Sequence, residues 1–214
     1  RIITMEIVPM FPLSIVPFPE EKINLHIFED RYKALIKDCN EGKKRFGIIP
    51  YIKDMLMDYG VEMEIKEISK VYSDENMDIK SVGKRVFRVR EFFQKMENTT
   101  YPGAIIEYAE NYEDEDYGKR LLLWDLIQEL FDTLKVKRKF DKKPTDLNTF
   151  ELGHHVALPL EEEYKMLLLE KESERQDFLI LHLKKIIPTL QNLDLLKEKI
   201  KMNGHFRNLK PPKI

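Results

Sequence analysis

Met10-Phe11-Pro12-Leu13-Ser14-Ile15-Val16-Pro17-Phe18-Pro19, followed after five residues by Leu25-His26-Ile27-Phe28-Glu29-Asp30-Arg31-Tyr32, sets the reading of this chain. Phe11, Phe18 and Phe28 stand beside prolines and a turn, a setting that expects large rings to fill one end of a strand-built core. A helix follows from about Asp30 to Cys39. Tyr32, Leu35, Ile36 and Cys39 recur at i, i+3, i+4 and i+7, Lys33, Lys37 and Asp38 hold the opposite side, and Gly42 can end it. Arg31 with Glu29 is expected to tie the helix start to the strands. Cys39, on the apolar stripe, reads as a buried small hydrophobe.

Outward from this segment, the chain up to about Asn111 reads as short strands and turns. Val61, Met63 and Ile65 alternate with Glu62, Glu64 and Lys66, which predicts one buried and one wet face. Phe87 and Val89 alternate with Arg88 and Arg90, and Ala104, Ile106 and Tyr108 form a further strand after a turn at Pro102-Gly103. Several such strands in succession suggest a barrel or a sandwich, with the helix plugging one end. The acidic run Glu113-Asp114-Glu115-Asp116 reads as a solvated linker, since four adjacent acids repel one another and lack the spacing of a calcium loop.

Beyond Gly118 the period becomes helical. Leu123, Ile127, Leu130, Phe131 and Leu134 share one face, a polar loop spans Arg138 to Asp146, and a short helix ends at Leu158-Pro159. Glu161, Glu162 and Glu163 place acids in the first turn of the next helix, where the dipole favours them. Ser173 reads as the N-cap of a long last helix carrying Leu179, Leu183, Ile186, Ile187, Leu190 and Leu193, with a kink or break expected at Pro188. The expected organisation is a strand unit over 1–117 and a small helical bundle over 118–214.

Composition removes several functions. The 36 basic and 38 acidic residues leave a formal charge of −2, so no global field draws the chain to nucleic acid or anionic lipid. A single cysteine excludes intrachain disulfides and thiolate zinc cages. The longest apolar runs, such as Leu121–Trp124, are four residues, against about 20 needed to span a bilayer, and a cytoplasmic location is expected. Gly42-Lys43-Lys44-Arg45-Phe46-Gly47 has glycines at phosphate-loop spacing, but Ile48 and Ile49 occupy the places of the required Lys and Ser or Thr. His154 and His155 are adjacent and cannot face one metal from a helix. No serine lies in a nucleophile elbow. Lys135, Lys137, Arg138, Lys139, Lys142 and Lys143, with Phe140 as a stacking ring, make the strongest case for nucleic acid, yet cations at a helix C-terminus read more simply as solvated dipole partners.

The quoted opening resembles the signature of the Lon protease amino-terminal (substrate-binding) domain family: Phe-Pro-Leu, a Phe-Pro soon after, then Leu-x-Ile-Phe-Glu-x-Arg-Tyr. Tyr59–Ile65, Gly83–Val89, Tyr101–Glu110 and Leu152–Lys165 are similar to the family's later elements in order. The resemblance implies an α+β fold, a PUA-like β-barrel with one inserted helix followed by a small α-helical bundle. It also implies a non-catalytic module that recognises polypeptide substrates or acts as an adaptor, with no cofactor or small-molecule substrate; an RNA-binding barrel is the alternative. Met63, Val86 and Ser73-Asp74-Glu75-Asn76 depart from the family pattern. Lys210-Pro211-Pro212-Lys213-Ile214 cannot continue a helix, so a stand-alone protein is expected. Met55, Leu56 and Met57, between two predicted strands and outside any stripe, are the candidate polypeptide contacts, because the unbranched thioethers of methionine on a surface loop suit varied partners.

Overall fold

The computed structural model describes residues 5–137, 140, 142–143 and 146–206. Arg138 and Lys139 of the basic cluster and the proline-containing end lie outside the described residues. The fold is mixed α/β with a large, mainly antiparallel sheet, and the chain forms two compact units, Arg1–Asp114 with Asn148–Arg175 and Glu115–Leu147 with Gln176–Ile214.

Among the described residues the first unit carries seven strands: β1 Met5–Leu13, β2 Lys22–Ile27, β3 Phe46–Ile52, β4 Met55–Leu56, β5 Tyr59–Val71, β6 Met77–Phe93 and β7 Gly103–Tyr108. β1 pairs antiparallel with β7, β7 with β6, β6 with β5 and β5 with β3, and β3 then pairs parallel with β1, so the ladder path returns to its first strand. β2 pairs with β6 and β4 with β3. Inward residues follow the expected alternation: Val8, Met10, Ile49, Phe87, Ala104 and Ile106 make one buried cluster, joined by Val89, Phe92 and Tyr108. Phe87 lies against bare backbone, since a Cβ on Gly47 would come within 2.8 Å of its ring and one on Gly60 within 2.7 Å. Two glycines thus make room for one phenylalanine.

Glu62 departs from the expected wet face. Its residue is 4% exposed, because Arg45 donates to the carboxylate at 2.8 Å, Tyr108 Oη donates at 2.6 Å and Arg85 lies at 3.6 Å. A buried charge is tolerated where partners of this kind replace water. Helix α1, Asp30–Glu41, buries Tyr32, Leu35, Ile36 and Cys39 as its stripe requires, and Gly42 caps it by donating to Asp38 O. Burial pushes the Cys39 thiol up to about 12, in keeping with a packing role.

The segment Asn148–Arg175 belongs with the strands, although its helical period had grouped it with the bundle. Helix α3, Thr149–Leu152, has a full capping box between Asn148 and Glu151, and a 3₁₀ turn covers Gly153–His155. Helix α4, Leu160–Leu167, opens on Pro159 with three acids in its first turn. Buried Phe18 explains the attachment: its ring lies 5.5 Å from that of Phe150 and 4.6 Å from that of His154. The Tyr59 amide also donates to Tyr164 Oη. Arg175 closes the segment, donating to Thr149 Oγ1, Glu172, Leu169 O and Asn111 while lying over the Phe150 ring.

The second unit contains helix α2, Tyr117–Leu134, and most of helix α5, Glu172–Phe206. Leu123, Ile127, Leu130 and Phe131 of α2 are buried, as are Leu179, Ile180, Leu183 and Ile187 of α5. Phe140 packs at 5.7 Å from Trp124 and 6.2 Å from Phe131, so its ring is not presented for base stacking. Helix α5 is continuous through Pro188, with no break there. The acidic run is engaged rather than merely solvated: Asp116 caps α2 by accepting from the Lys119 amide, Glu115 pairs with Arg120, and Asp114 accepts from the amide and hydroxyl of Ser173. Ser173 is therefore a donor inside the first turn of α5 instead of its N-cap. Those hydrogen bonds hold the Asp114 carboxyl below its ordinary value.

Candidate functional site

An open cleft of about 420 Å³ in the strand unit gathers apolar side chains from five elements. Phe11 arrives from β1, and its ring stacks on Tyr32 of α1 with centroids 4.1 Å apart. The Arg31 guanidinium lies 4.7 Å from the Tyr32 ring centre and pairs with Glu29 at 3.0 Å, which joins two residues of the helix start to each other, whereas the expected tie ran from the helix start to the strands. Burial lifts the Tyr32 phenol above its ordinary value, with Arg31 opposing and Glu29 adding to the shift.

Phe28 forms the most prominent part of the wall. It was expected to fill the core with Phe11 and Phe18; those two are buried, whereas Phe28 is 62% exposed. The reason is local. Phe28 directly precedes the helix N-cap Glu29, where an apolar residue usually packs on the fourth helical residue, but that residue is Lys33, whose ammonium bonds Asp30 and the Asp74 carbonyl. With no apolar partner inward, the ring faces the cleft and lies 6.2 Å from the His26 ring. His26 is fixed by Asp78 at 2.6 Å, and Tyr72 Oη donates to the same carboxylate at 2.7 Å. These hydrogen bonds, from His26 first and Tyr72 second, hold the Asp78 carboxyl below its ordinary value.

The β3–β4 hairpin supplies the facing side. Lys53 and Asp54 have φ of 49° and 61°, the consecutive left-handed pair of a two-residue turn whose twist suits a hairpin. The resulting register sets Tyr51 opposite Leu56, so both side chains share a face and line the cleft. Met55 is opposite Ile52 on the other face and is 60% exposed, while the Met57 amide donates to Pro50 O. Of the three residues singled out in the sequence, Leu56 alone lines this cleft. Phe28 was read as a core residue, and Tyr51 and Phe92 were not singled out; the unpartnered position before the helix cap was the signal that could have placed Phe28 at the surface.

The lining mixes apolar side chains with a few polar ones, and its charges are balanced. Glu29 and Arg31 neutralise each other, and His26 is engaged by Asp78. Among the described residues no three His, Cys, Asp or Glu side chains are placed to hold a metal ion, and no helix is long and apolar enough to cross a membrane. His154 is held between Glu163 at 2.8 Å and Glu21 at 3.2 Å. Burial pulls its pKa down, but the hydrogen bonds to the two carboxylates prevail and lift it to about 10, which makes it a charged strut between α4 and the β1–β2 link.

Residues 7–200 match the family described as the ATP-dependent protease La (LON) substrate-binding domain. The chain belongs to that family. Its fold is similar to a Lon N-terminal domain protein from Xanthomonas campestris, at 22% identity and a TM-score of 0.65, with 82% of this chain and 98% of that one covered. It is also similar to the N-terminal domain of a Mycobacterium avium complex Lon protease, at 16% identity and a TM-score of 0.62, covering 84% and 99% of the two chains. In this LON-family chain the cleft lies in the strand unit, which also holds residues 10–19 and 25–32.

Proposed function

We propose that this LON-family chain is a non-catalytic module that binds unfolded or extended polypeptide segments, as substrates or as adaptor contacts, in the cleft walled by Phe28, Tyr51 and Leu56. The observation that carries this reading is the convergence of those exposed apolar side chains on one open surface whose charges are already paired. Sequence-tolerant affinity of this kind comes from burying side chains, and a neutral lining favours apolar over charged occupants. We read the returning ring of strands as a PUA-like barrel acting in the cytoplasm. Leu56 is the principal contact on the hairpin, with Met55 and Met57 beside it.

The test is titration of a fluorescently labelled, permanently unfolded protein against wild type and a Phe28→Ser/Leu56→Ser double variant. Losing two apolar contacts of about 1.5 kcal/mol each is expected to weaken binding at least tenfold, with the melting temperature nearly unchanged because both residues are exposed. Equal affinity of variant and wild type, or turnover of ATP or of the client by repurified protein, overturns the reading. Binding of RNA with a steep salt dependence would support the nucleic-acid alternative instead.

A further inference from the structure

We infer that β2 is the docking edge for the bound segment's backbone, so that a client adds to the sheet as a further strand beside Lys22–Ile27 and continues into the cleft at Phe28. This rests on the cleft being a polypeptide site, and it specifies how the main chain is held there.

Among the described residues, β2 forms a ladder with β6 alone. Its six residues pair with Met77–Val82 in unbroken register, whereas β6 meets β5 and β7 with register shifts. Edge strands are ordinarily blunted by proline, a bulge, or charges along their length. β2 has no proline and no bulge, and its one lysine, Lys22, stands at its start. A straight edge of this kind presents a row of backbone donors and acceptors, and another extended backbone is the partner that matches such a row.

The side chains select the client further. Ile23 and Leu25 are half-buried on one face of β2, while Lys22, Asn24 and His26 are exposed on the other. An added strand would cover Ile23 and Leu25 with its own alternate side chains, so the favoured client has apolar residues at every second position. Continuity with the cleft gives the direction of travel: His26, the fifth residue of β2, lines the cleft, and so does Phe28 just beyond the strand end. A segment paired along β2 is delivered to the aromatic wall.

The experiment uses the full chain and an eight-residue peptide alternating serine with leucine or phenylalanine. Two versions are N-methylated, one at the odd and one at the even residues, because only every second residue of an added strand turns its amide toward the edge. The expected result is at least tenfold slower amide exchange within Lys22–Ile27 on binding, together with a tenfold or greater loss of affinity for one methylated version and a change within about twofold for the other. If Phe28→Ser weakens the peptide while exchange in β2 is unchanged and both methylated versions bind like the parent, edge pairing is wrong and the cleft reading stands. If β2 is protected but Phe28→Ser binds normally, edge pairing stands and the cleft reading falls. No binding by any of the peptides overturns the edge proposal.

Discussion

Glu62 shows at single-residue scale where pattern and packing part company. Alternation placed it on the wet face of β5, yet Tyr108 and Arg45 converge on its carboxylate from β7 and from the link before β3. Nothing local in the sequence announces partners 46 and 17 positions away. Glu62→Ala is expected to destabilise the fold by about 2 kcal/mol in urea unfolding, because it removes the buried acceptor that Arg45 and Tyr108 share, although Tyr108 keeps Glu6 at 2.9 Å and Arg45 keeps Glu64 at 3.6 Å; a loss below about 1 kcal/mol would show that the network is replaced by water. His154 makes a prediction of opposite pH sense from that of a salt-bridged acid. Its folded pKa of about 10 stands above the ordinary 6.5, so its contribution is fully present below pH 6.5 and is lost as pH rises toward 10. The difference in melting temperature between wild type and His154→Gln should therefore shrink from pH 6 to pH 10, and a difference constant across that range would remove the charged strut from the account.

Among the elements, those with a long period were legible and those made by turn geometry were not. The α1 stripe marks Tyr32, Leu35, Ile36 and Cys39 as buried but not Lys33, which Asp30 and the Asp74 carbonyl hold inward, and the strands at Val61, Phe87 and Ala104 lie where alternation puts them. Strand β4 was missed because two residues carry no period, and its turn, Lys53-Asp54, lacks the glycine that usually marks a left-handed pair. That omission hid the pairing of Leu56 with Tyr51 on one side of the cleft, since the hairpin register is what sets them together. The same turn supplies a prediction. Asp54 holds a left-handed φ at a steric cost that glycine avoids, so Asp54→Gly is expected to raise stability by about 0.5 kcal/mol after the larger entropy of the unfolded glycine is counted. Lys53 is left in place because it pairs with Glu161 at 2.6 Å. A loss of stability in urea unfolding would mean that the Asp54 side chain contributes more than its backbone strain costs.

For the whole molecule, the decisive fact is that the helical half of the sequence does not form one unit. Period alone placed a single boundary after residue 117, but the chain leaves the strand unit at Asp114, returns at Asn148 and leaves again after Arg175. Amphipathic helices announce that they have an apolar face and say nothing about whose core that face completes; here Phe18 of the opening motif, buried against Phe150 and His154, decides it. A fragment of residues 1–117 would therefore lack the cover of Phe18, the phenol that accepts the Tyr59 amide, and the carboxylate of Glu163 beside His154, which leaves with it. Exposing a buried phenylalanine and its neighbours costs about 3–5 kcal/mol, a large part of the stability of a domain this size. The fragment is expected to bind a hydrophobic dye and to unfold without a cooperative transition, whereas a chain in which a short Gly-Ser linker replaces Glu115–Leu147 and the sequence stops after Arg175 should unfold cooperatively and keep the Phe28 cleft. If the 1–117 fragment alone melts cooperatively and binds an unfolded client as tightly as the full chain, the segment Asn148–Arg175 is dispensable and the strand unit is smaller than its contacts indicate.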